Sequence, residues 1–319
     1  MIKTSDTRHR LIYGPVPSRR LGRSLGLDLV PFKTCSYDCI YCQLGRTQNP
    51  TVTRQAYVSP QRLLDQLLVR LEKGVHPDYI TLGGSGEPTL NDQIGVLIRR
   101  IKAHTRIPVA VLTNGSLLGD PDVCDALLEA DVVLPSLDAC DETGFQDINR
   151  PHPAIAFDTM VKGLIAFRKR FAGGLWLEIF VIKGINDTEK QAEGFRRWID
   201  RINPDRVHIN TAVRPPAEAS VRPVSREQML RLCDLLGDKA EVVAPFQRTS
   251  TGQTRPCRDR DLLNILSRRP CTLEDLSSAL GTSKSEITQG VNALLAMGKI
   301  HRVERQGAVY FQSHPKDPG

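Results

Sequence analysis

The sequence has no hydrophobic run that approaches the roughly 20 residues a membrane-spanning helix needs. Its first ten residues, MIKTSDTRHR, also lack the apolar stretch of a secretory signal. We therefore expect a cytoplasmic location and no membrane partner. The 319 residues are 40% hydrophobic with a mean hydropathy of −0.26, which is typical of a soluble globular protein. That length suffices for one large α/β domain and a small second one.

Cysteines spaced as a disulfide framework are also missing. Three of the eight cysteines crowd into residues 35–42. The other five are Cys124, Cys140, Cys233, Cys257 and Cys271. A long chain without a secretion signal does not favour disulfides, so the crowded three indicate a metal site. The scattered five show no paired spacing for a further cluster and are interpreted as buried or incidental thiols.

Charge is distributed unevenly along the chain, whose formal net charge is +7. Residues 1–60 carry nine basic and three acidic side chains, residues 255–319 carry ten and seven, and the stretch between is nearly balanced. Basic ends favour an anionic partner such as nucleic acid. The alternative is that a pI near 9.0 is ordinary for a soluble enzyme, and charge alone does not separate the two.

Strand-like and helix-like patterns alternate from about residue 25 to residue 245. Ser59 with Pro60, and Ser225 with Gln228, mark helix starts. The predicted strands are 25–30, 78–84, 108–115, 131–139, 175–184, 205–212 and 241–245. The predicted helices are 59–74, 91–104, 119–130, 157–171, 187–202 and 225–237. Such alternation requires parallel strands joined by helical crossovers.

Six clear strand–helix units of one hand form either an open three-quarter barrel or an extended doubly wound sheet. In both architectures the chemistry collects at the carboxyl ends of the strands. Glu178, inside the apolar strand WLEIFV, is interpreted as facing the barrel lumen or a solvated edge. The unusual segments follow the strand ends: GGSGEP (83–88), TNGS (113–116), PSLDA (135–139), KGIND (183–187) and NTAVRPP (210–216).

The tail departs from this pattern after a polar stretch at 251–260. Three helix-like segments, 261–269, 272–280 and 283–298, precede a hairpin-like stretch that turns at Gln306–Gly307. Three helices and a hairpin predict a winged helix-turn-helix domain. The predicted division is a barrel over 1–250, a linker over 251–258 and a winged helix over 259–319.

The predicted winged helix opens a second hypothesis, a redox-sensing regulator that binds DNA or RNA. Its recognition helix, 283–298, has a single lysine before its last residues. The recognition helix of a DNA-binding protein usually carries more basic and amide side chains. Winged helices also dock proteins and RNA. Docking of a substrate or partner is therefore the favoured interpretation.

Cys35, Cys39 and Cys42 follow the spacing C-x3-C-x2-C. Three thiolates on a short loop can each bind one iron of a 4Fe–4S cluster and leave the fourth iron open to a small ligand. A structural zinc site needs four ligands, and His9, far back along the chain, does not look like the fourth. The spacing favours an open-iron cluster, with zinc or an incidental thiol loop as the alternatives.

With Tyr41 before the third cysteine, the motif resembles the signature of the radical SAM superfamily, whose members use S-adenosylmethionine (SAM). The resemblance spans about residues 12–245. It points to uncharacterised members loosely described as Fe–S oxidoreductases, distant relatives of the wyosine-tRNA and molybdopterin-precursor enzymes. It implies a 4Fe–4S cluster and SAM as cofactors and a six-stranded partial (βα)6 barrel. The segments that carry it are 14–35, 80–90, 109–116, 133–139, 148–153 and 201–216.

The resemblance also implies cofactor-binding roles at the strand ends. Tyr41 packs near the adenine, and Glu87 pairs with the methionyl amine of SAM. Asn114, Ser136 and Asp138 match positions that hold the ribose hydroxyls. The other implied contacts are Gly84, Ser85 and Gly86 near the amine, Lys183 with Gly184 beside the adenine, and Asn210 on the sixth strand.

These cofactor-binding residues also have plainer interpretations. Gly84 and Gly86, which Ser85 separates, can simply make a turn before Pro88. Asn114 begins an Asn–Gly pair that is common in turns. Asp138, at a strand end, is equally well placed to cap a helix.

In the mechanism that the resemblance implies, the reduced cluster passes an electron to SAM, and a 5′-deoxyadenosyl radical abstracts hydrogen from a substrate. We expect the one-electron donor to be flavodoxin- or ferredoxin-like. The substrate class stays open between RNA, a protein or peptide, and a small metabolite.

Several arginines near the predicted barrel mouth are candidates for binding that substrate. A guanidinium suits recognition of phosphate or carboxylate. The alternative is that these residues are surface charges. The candidates are Arg19, Arg20, Arg23, Arg150, His152 and Arg214.

Overall fold

A single eight-stranded sheet, with its strands in chain order, forms the centre of the computed structural model. β1 (Ile12–Ser18) runs antiparallel to β2 (Gly22–Leu27), and every later neighbouring pair is parallel. The remaining strands are β3 (Tyr79–Leu82), β4 (Val109–Thr113), β5 (Val132–Pro135), β6 (Gly174–Val181), β7 (Arg206–Thr211) and β8 (Ala240–Val242). The structure describes residues 11–243, 259–267, 270–280, 282–305 and 308–314. The predicted α/β class and mostly parallel sheet are confirmed.

Helices connect the parallel strands and begin where the sequence places caps. The Ser225 side chain accepts a hydrogen bond from the Gln228 amide, and Asp120 caps its helix in the same way. No helix in the described ranges is long and apolar enough to cross a membrane. The helices are α1 (Pro60–Glu72), α2 (Ile94–His104), α3 (Pro121–Leu127), α4 (Glu142–Ile148), α5 (Phe157–Arg170), α6 (Glu189–Ile202) and α7 (Arg226–Leu236).

β6 shows how the sheet separates a helix-covered face from a cavity. Leu177 and Ile179 are buried in the main hydrophobic core together with residues of the helices. Glu178 and Phe180, which alternate with them, line a cavity on the opposite face. This period of two is that of a strand with one apolar face, and it directs polar side chains to the face of the sheet opposite the helices.

The sequence patterns do not predict two elements of the structure, β1 and α4. β1 has the sequence IYGPVPS, whose two prolines cannot donate to a strand ladder. It lies at the edge of the sheet, where proline is tolerated. α4 is seven residues long and contains a glycine. The sheet therefore has eight strands where six barrel strands are predicted: β2–β7 correspond to those six, and β8 to the short last strand.

The C-terminal part consists of α8 (Asp259–Leu266), α9 (Leu273–Leu280), α10 (Lys284–Ala296) and the hairpin of β9 (Ile300–Arg305) and β10 (Ala308–Ser313). Its apolar residues form a core of their own that also takes in Val16 of β1. The Tyr310 hydroxyl donates to the Val213 carbonyl at 2.6 Å. The predicted linker and the turn at Gln306–Gly307 lie outside the described residues, and the domain limits stay predictions.

Candidate active site

A cavity of about 410 Å³ lies on the face of the sheet opposite the helices. Its lining comes from the cysteine loop, from residues within or just beyond the strands, and from the β1–β2 turn. One residue of the C-terminal part, Ile265, also borders it. Parallel strands bring residues that are distant in sequence together in this way. The cavity joins the three crowded cysteines to the predicted cofactor and substrate residues.

Contacts with α4 and the residues after it fix the cysteine loop. The Asp38 and Ile40 amides donate to carbonyls at the end of α4, and the Tyr37 ring packs edge-on against Phe145 at 5.3 Å. The Asp38 carboxylate closes the loop by accepting from the Thr47 amide at 2.5 Å. These contacts fix the loop that carries the cysteines, so the unpredicted helix has a direct part in the site.

Each cysteine sulfur of the loop lies near a side-chain N–H donor. The Asn114 Nδ2 lies 3.7 Å from the Cys35 Sγ, and the Asn149 Nδ2 lies 3.5 Å from the Cys39 Sγ. The Lys33 Nζ lies 3.3 Å from the Cys42 Sγ. Donors around sulfur stabilise negative charge there, which is the environment that metal-bound thiolates require.

Two of the cysteine thiols lie in buried surroundings beside carboxylates. Burial and the nearby Glu87 carboxylate raise the pKa of Cys35 to about 12, and burial with the Asp138 carboxylate raises the pKa of Cys39 well above its ordinary range. Such thiols become thiolates only beside a strong positive centre. In the described ranges no three His, Cys, Asp or Glu side chains are close enough to hold one metal ion.

Glu87 joins the ends of β3 and β4. Its carboxylate accepts from the Thr113 hydroxyl at 2.7 Å and the Asn114 amide at 2.7 Å, and twice from Thr89. The side chain is buried, and burial raises its pKa. A buried carboxylate with four donors is first a structural clamp. It also lines the cavity, so its predicted pairing with the SAM amine stays a prediction.

Asp138 clamps the other side of the cysteine loop. It accepts from the Tyr41 hydroxyl at 2.5 Å, the Asn149 amide group at 2.7 Å and the Phe180 backbone amide at 2.9 Å. Tyr41 also stacks on Phe180 with ring centroids 4.0 Å apart. Asp138 therefore caps no helix; Asp141 caps α4 instead. A ribose hydroxyl that donates to Asp138, as predicted, would compete with these three donors for the carboxylate oxygens.

The glycine segment after β3 packs tightly against the protein. A Cβ on Gly86 would lie 1.9 Å from the Thr34 carbonyl, immediately before the first cysteine. Gly84 has a φ of +134°, which disfavours other residues, and a Cβ there would meet Asp28 at 2.3 Å. Ser85 is buried, and its amide donates to Asp28 at 2.9 Å. Both glycines are thus required by contacts within the chain, and both line the cavity.

A second polar group lies away from the cysteines in the same cavity. Arg20 pairs with Glu178, which accepts from the Asn210 Nδ2 at 3.1 Å. Arg19 donates to the Asn210 Oδ1 at 3.2 Å. Burial and the charge of Arg19 lower the pKa of Arg20 to about 10. Arg214 lies 3.7 Å from Asp275 of α9. Two adjacent guanidinium groups in a cavity favour an anionic ligand.

Most of the predicted site residues line the cavity, and the others lie outside its lining. In the cavity lining are Cys35, Cys39, Cys42, Tyr41, Gly84, Gly86, Glu87, Asn114, Ser136, Asp138, Asn210, Arg19, Arg20 and Arg214. Outside it are Ser85, Lys183, Arg23, Arg150 and His152. Among the latter, Lys183 is exposed and Arg150 pairs with Glu218. Asn210 joins the arginine group rather than Asn114 and Ser136.

Three residues around the cysteines are missing from the sequence prediction: Lys33, Thr113 and Asn149. Thr113 and Lys33 adjoin predicted motifs, since one precedes Asn114 and the other lies two residues before Cys35. Asn149 follows the unpredicted helix α4 and lies in the segment 148–153, from which only Arg150 and His152 are named as candidates.

Comparison with known proteins gives a consistent family. The family model for the radical SAM superfamily matches residues 29–194. A UPF0026 protein of Methanocaldococcus jannaschii is 32% identical over 314 residues, covering 96% of this chain and 97% of that protein. A protein named GTPase Obg from Brachyspira hyodysenteriae is 37% identical over 310 residues, or 96% of this chain. The chain spans only 46% of the length of that relative.

A solved structure shares the fold. A radical SAM methyltransferase from Sphaerobacter thermophilus superimposes with a TM-score of 0.54 at 18% identity. The match covers 69% of this chain and 65% of that one. At this level of identity the likeness concerns the fold alone.

Proposed function

Since this chain belongs to the radical SAM superfamily and to the UPF0026 family, we propose that it cleaves SAM reductively to generate a radical that abstracts hydrogen from a substrate. Family membership supports an enzyme of this class with a 4Fe–4S cluster and SAM as cofactors. When bound, the cluster supplies the electron that breaks the C5′–S bond of SAM. Cys35, Cys39 and Cys42 are the residues that would hold it.

One observation carries this proposal: the three cysteines open into the cavity that collects the polar strand ends. SAM needs hydrogen-bond acceptors for its amine and ribose in a space closed to bulk water. Glu87 and Ser136 offer such oxygens, with Asn114 beside them. Tyr41, fixed between Asp138 and Phe180, offers a wall for the adenine.

The substrate is proposed to carry phosphate or carboxylate. Arg19, Arg20 and Arg214 border the cavity away from the cysteines, where a substrate faces the radical. Asn210 orients Arg19, and Asp275 faces Arg214 from the C-terminal part. RNA, protein and small metabolites all offer such anions, and RNA or protein is our first expectation.

We also propose a place within the superfamily and a role for the tail. The chain is assigned to the members described as Fe–S oxidoreductases, distantly related to the wyosine-tRNA and molybdopterin-precursor enzymes. The C-terminal helices and hairpin are proposed to be a winged helix that helps to dock the substrate. A flavodoxin- or ferredoxin-like protein is the proposed electron donor.

The test is anaerobic reconstitution followed by reduction with dithionite in the presence of SAM. We expect about four irons per chain and release of 5′-deoxyadenosine. Cys39→Ala abolishes both, whereas Cys233→Ala, on α7 away from the cavity, retains both. An intact cluster that never cleaves SAM would instead support the redox-sensing regulator that binds DNA or RNA.

Deuterium transfer identifies the substrate class. Candidate pools of RNA, protein and metabolites from deuterated cells are incubated with the reduced enzyme and SAM. The pool that transfers deuterium into 5′-deoxyadenosine contains the substrate. Arg19→Gln is expected to lower that transfer while leaving cleavage of SAM without substrate intact. Equal transfer by both proteins contradicts the anion-binding role.

A further inference from the structure

The donors around the three cysteines differ in charge. Cys35 and Cys39 receive neutral amide N–H groups from Asn114 and Asn149. Cys42 receives the ammonium of Lys33, at 3.3 Å the shortest of the three contacts. Within the described ranges, no other N–H donor to these sulfurs is cationic. The surrounding field is therefore asymmetric.

Two carboxylates near the sulfurs carry the opposite charge. Glu87 acts on Cys35 and Asp138 acts on Cys39, and each carboxylate is buried. Negative charge beside a cluster disfavours the entry of an electron, because reduction makes the cluster more negative. A cation beside one sulfur has the reverse effect, and the low dielectric of a half-buried site preserves part of it.

Two hydrogen bonds position Lys33, whose backbone has a positive φ. Its ammonium also donates to the Gly45 carbonyl at 2.7 Å, and its amide donates to the Ser85 carbonyl at 2.6 Å. Its φ is +61°, in the left-handed region that glycine adopts more readily. Glycine would adopt this backbone conformation with less strain. The lysine side chain therefore offsets the strain through the contacts that it makes.

We propose that Lys33 is a positioning residue that raises the reduction potential of the cluster by placing a fixed positive charge against the Cys42 sulfur. The proposal rests on the cluster of the proposed function and on no assumption about the substrate. Lys33 touches neither SAM nor substrate in this assignment. Its effect is electrostatic: it stabilises the reduced form relative to the oxidised form.

The test compares Lys33→Met, Lys33→Gln and Lys33→Arg with the wild-type protein. Each full-length protein is reconstituted anaerobically, assayed for iron, and titrated with dithionite and redox mediators without SAM, with the reduced cluster followed by EPR. Lys190→Met, on the exposed surface of α6, controls for the loss of one distant charge. Lys33→Gln retains a donor without the charge, and Lys33→Arg retains the charge.

We expect Lys33→Met and Lys33→Gln to keep their iron and to show a more negative midpoint. At a fixed potential the ratio of reduced to oxidised cluster falls about tenfold, which is about 59 mV for a one-electron couple. Lys33→Arg and Lys190→Met stay near the wild type.

Three results would overturn the proposal. An unchanged midpoint in Lys33→Met and Lys33→Gln with full iron removes any effect of the charge. A shift in Lys33→Met alone assigns the effect to the hydrogen bond. Loss of iron from both variants makes Lys33 a residue that retains the cluster instead. Failure of the proposed function itself is separate, because the wild-type protein would then lack iron or leave SAM intact.

Discussion

The Tyr41 hydroxyl donates a 2.5 Å hydrogen bond to the Asp138 carboxylate, and this bond ties the cysteine loop to the end of β5. Tyr41 comes directly before the third cysteine, so its position and that of Cys42 are coupled. The loop is therefore held from the strand side as well as by α4.

Tyr41→Phe tests that bond. The ring keeps its stacking on Phe180, while the Asp138 carboxylate loses one of three donors. We expect a loss of about 1 kcal/mol in the free energy of unfolding and faster loss of iron, measured by denaturant titration and by iron release to a chelator. Tyr57→Phe removes a similar bond at an exposed position and is the control. Equal iron release from both variants would contradict the coupling.

Gly86→Ala tests the packing of the glycine segment on the cysteine loop. The new methyl group would overlap the Thr34 carbonyl, so the loop must move. We expect less iron per chain and a destabilisation of about 1–3 kcal/mol, measured by iron assay and thermal unfolding. At Gly184, φ is +78° with open space around the Cβ position, so Gly184→Ala costs backbone strain of about 1–2 kcal/mol but keeps its iron. Full iron in Gly86→Ala would rule out the tight packing.

Glu178→Gln tests the ion pair in the cavity. It leaves the Arg20 guanidinium without its partner while Arg19 stays close by. Breaking a fully buried pair costs about 3–5 kcal/mol; here both side chains are 16% exposed, so we expect about 2 kcal/mol. The double variant Arg20→Gln/Glu178→Gln should recover most of that loss in denaturant unfolding. A double variant less stable than either single one would show that the pair is not coupled in this way.

His208 gives the protein a pH dependence with a defined sign. Burial and the charge of Arg20 lower its pKa from about 6.5 to about 4 in the folded state. Between these values the unfolded chain binds the proton more readily, so stability falls as pH decreases from 6.5 towards 4. Between pH 7.5 and 5.5 the contribution is about 1 kcal/mol.

The measurement is the free energy of unfolding of wild type and His208→Gln at both pH values. The variant should lose about 1 kcal/mol less on acidification than the wild type. His104→Gln, at an exposed position at the end of α2, is the control. A variant with the same pH dependence as the wild type would refute the assignment.

The regular core of the fold was predictable because its signals are local. Caps such as Ser225 mark helix starts, and apolar runs such as the one around Glu178 mark strands, within a few residues. β1 and α4 were not, because proline, glycine and short length remove those signals while long-range packing supplies the stability.

In the candidate site, too, some features were predictable from the sequence and others were not. Strand ends bring Glu87, Asn114 and Ser136 into one cavity, as the topology requires. Side-chain partners do not follow from spacing: Asp138 has its oxygens bonded by the protein, and Asn210 faces the arginines. Spacing predicts where a residue lies, whereas its hydrogen bonds depend on the whole fold.

Val16 shares a hydrophobic core with Leu262 and its neighbours, so β1 is covered by helices of the C-terminal part. During synthesis, β1 emerges about 240 residues before those helices, and at the slow end of elongation that interval lasts tens of seconds. In that interval the outer edge of the sheet is bare and open to pairing with other chains. Ile265 borders the cavity, so this part of its wall is in place only after α8 has been synthesised. A cluster inserted after α8 has folded would meet the cavity with this wall in place, whereas earlier insertion would meet the cavity without it.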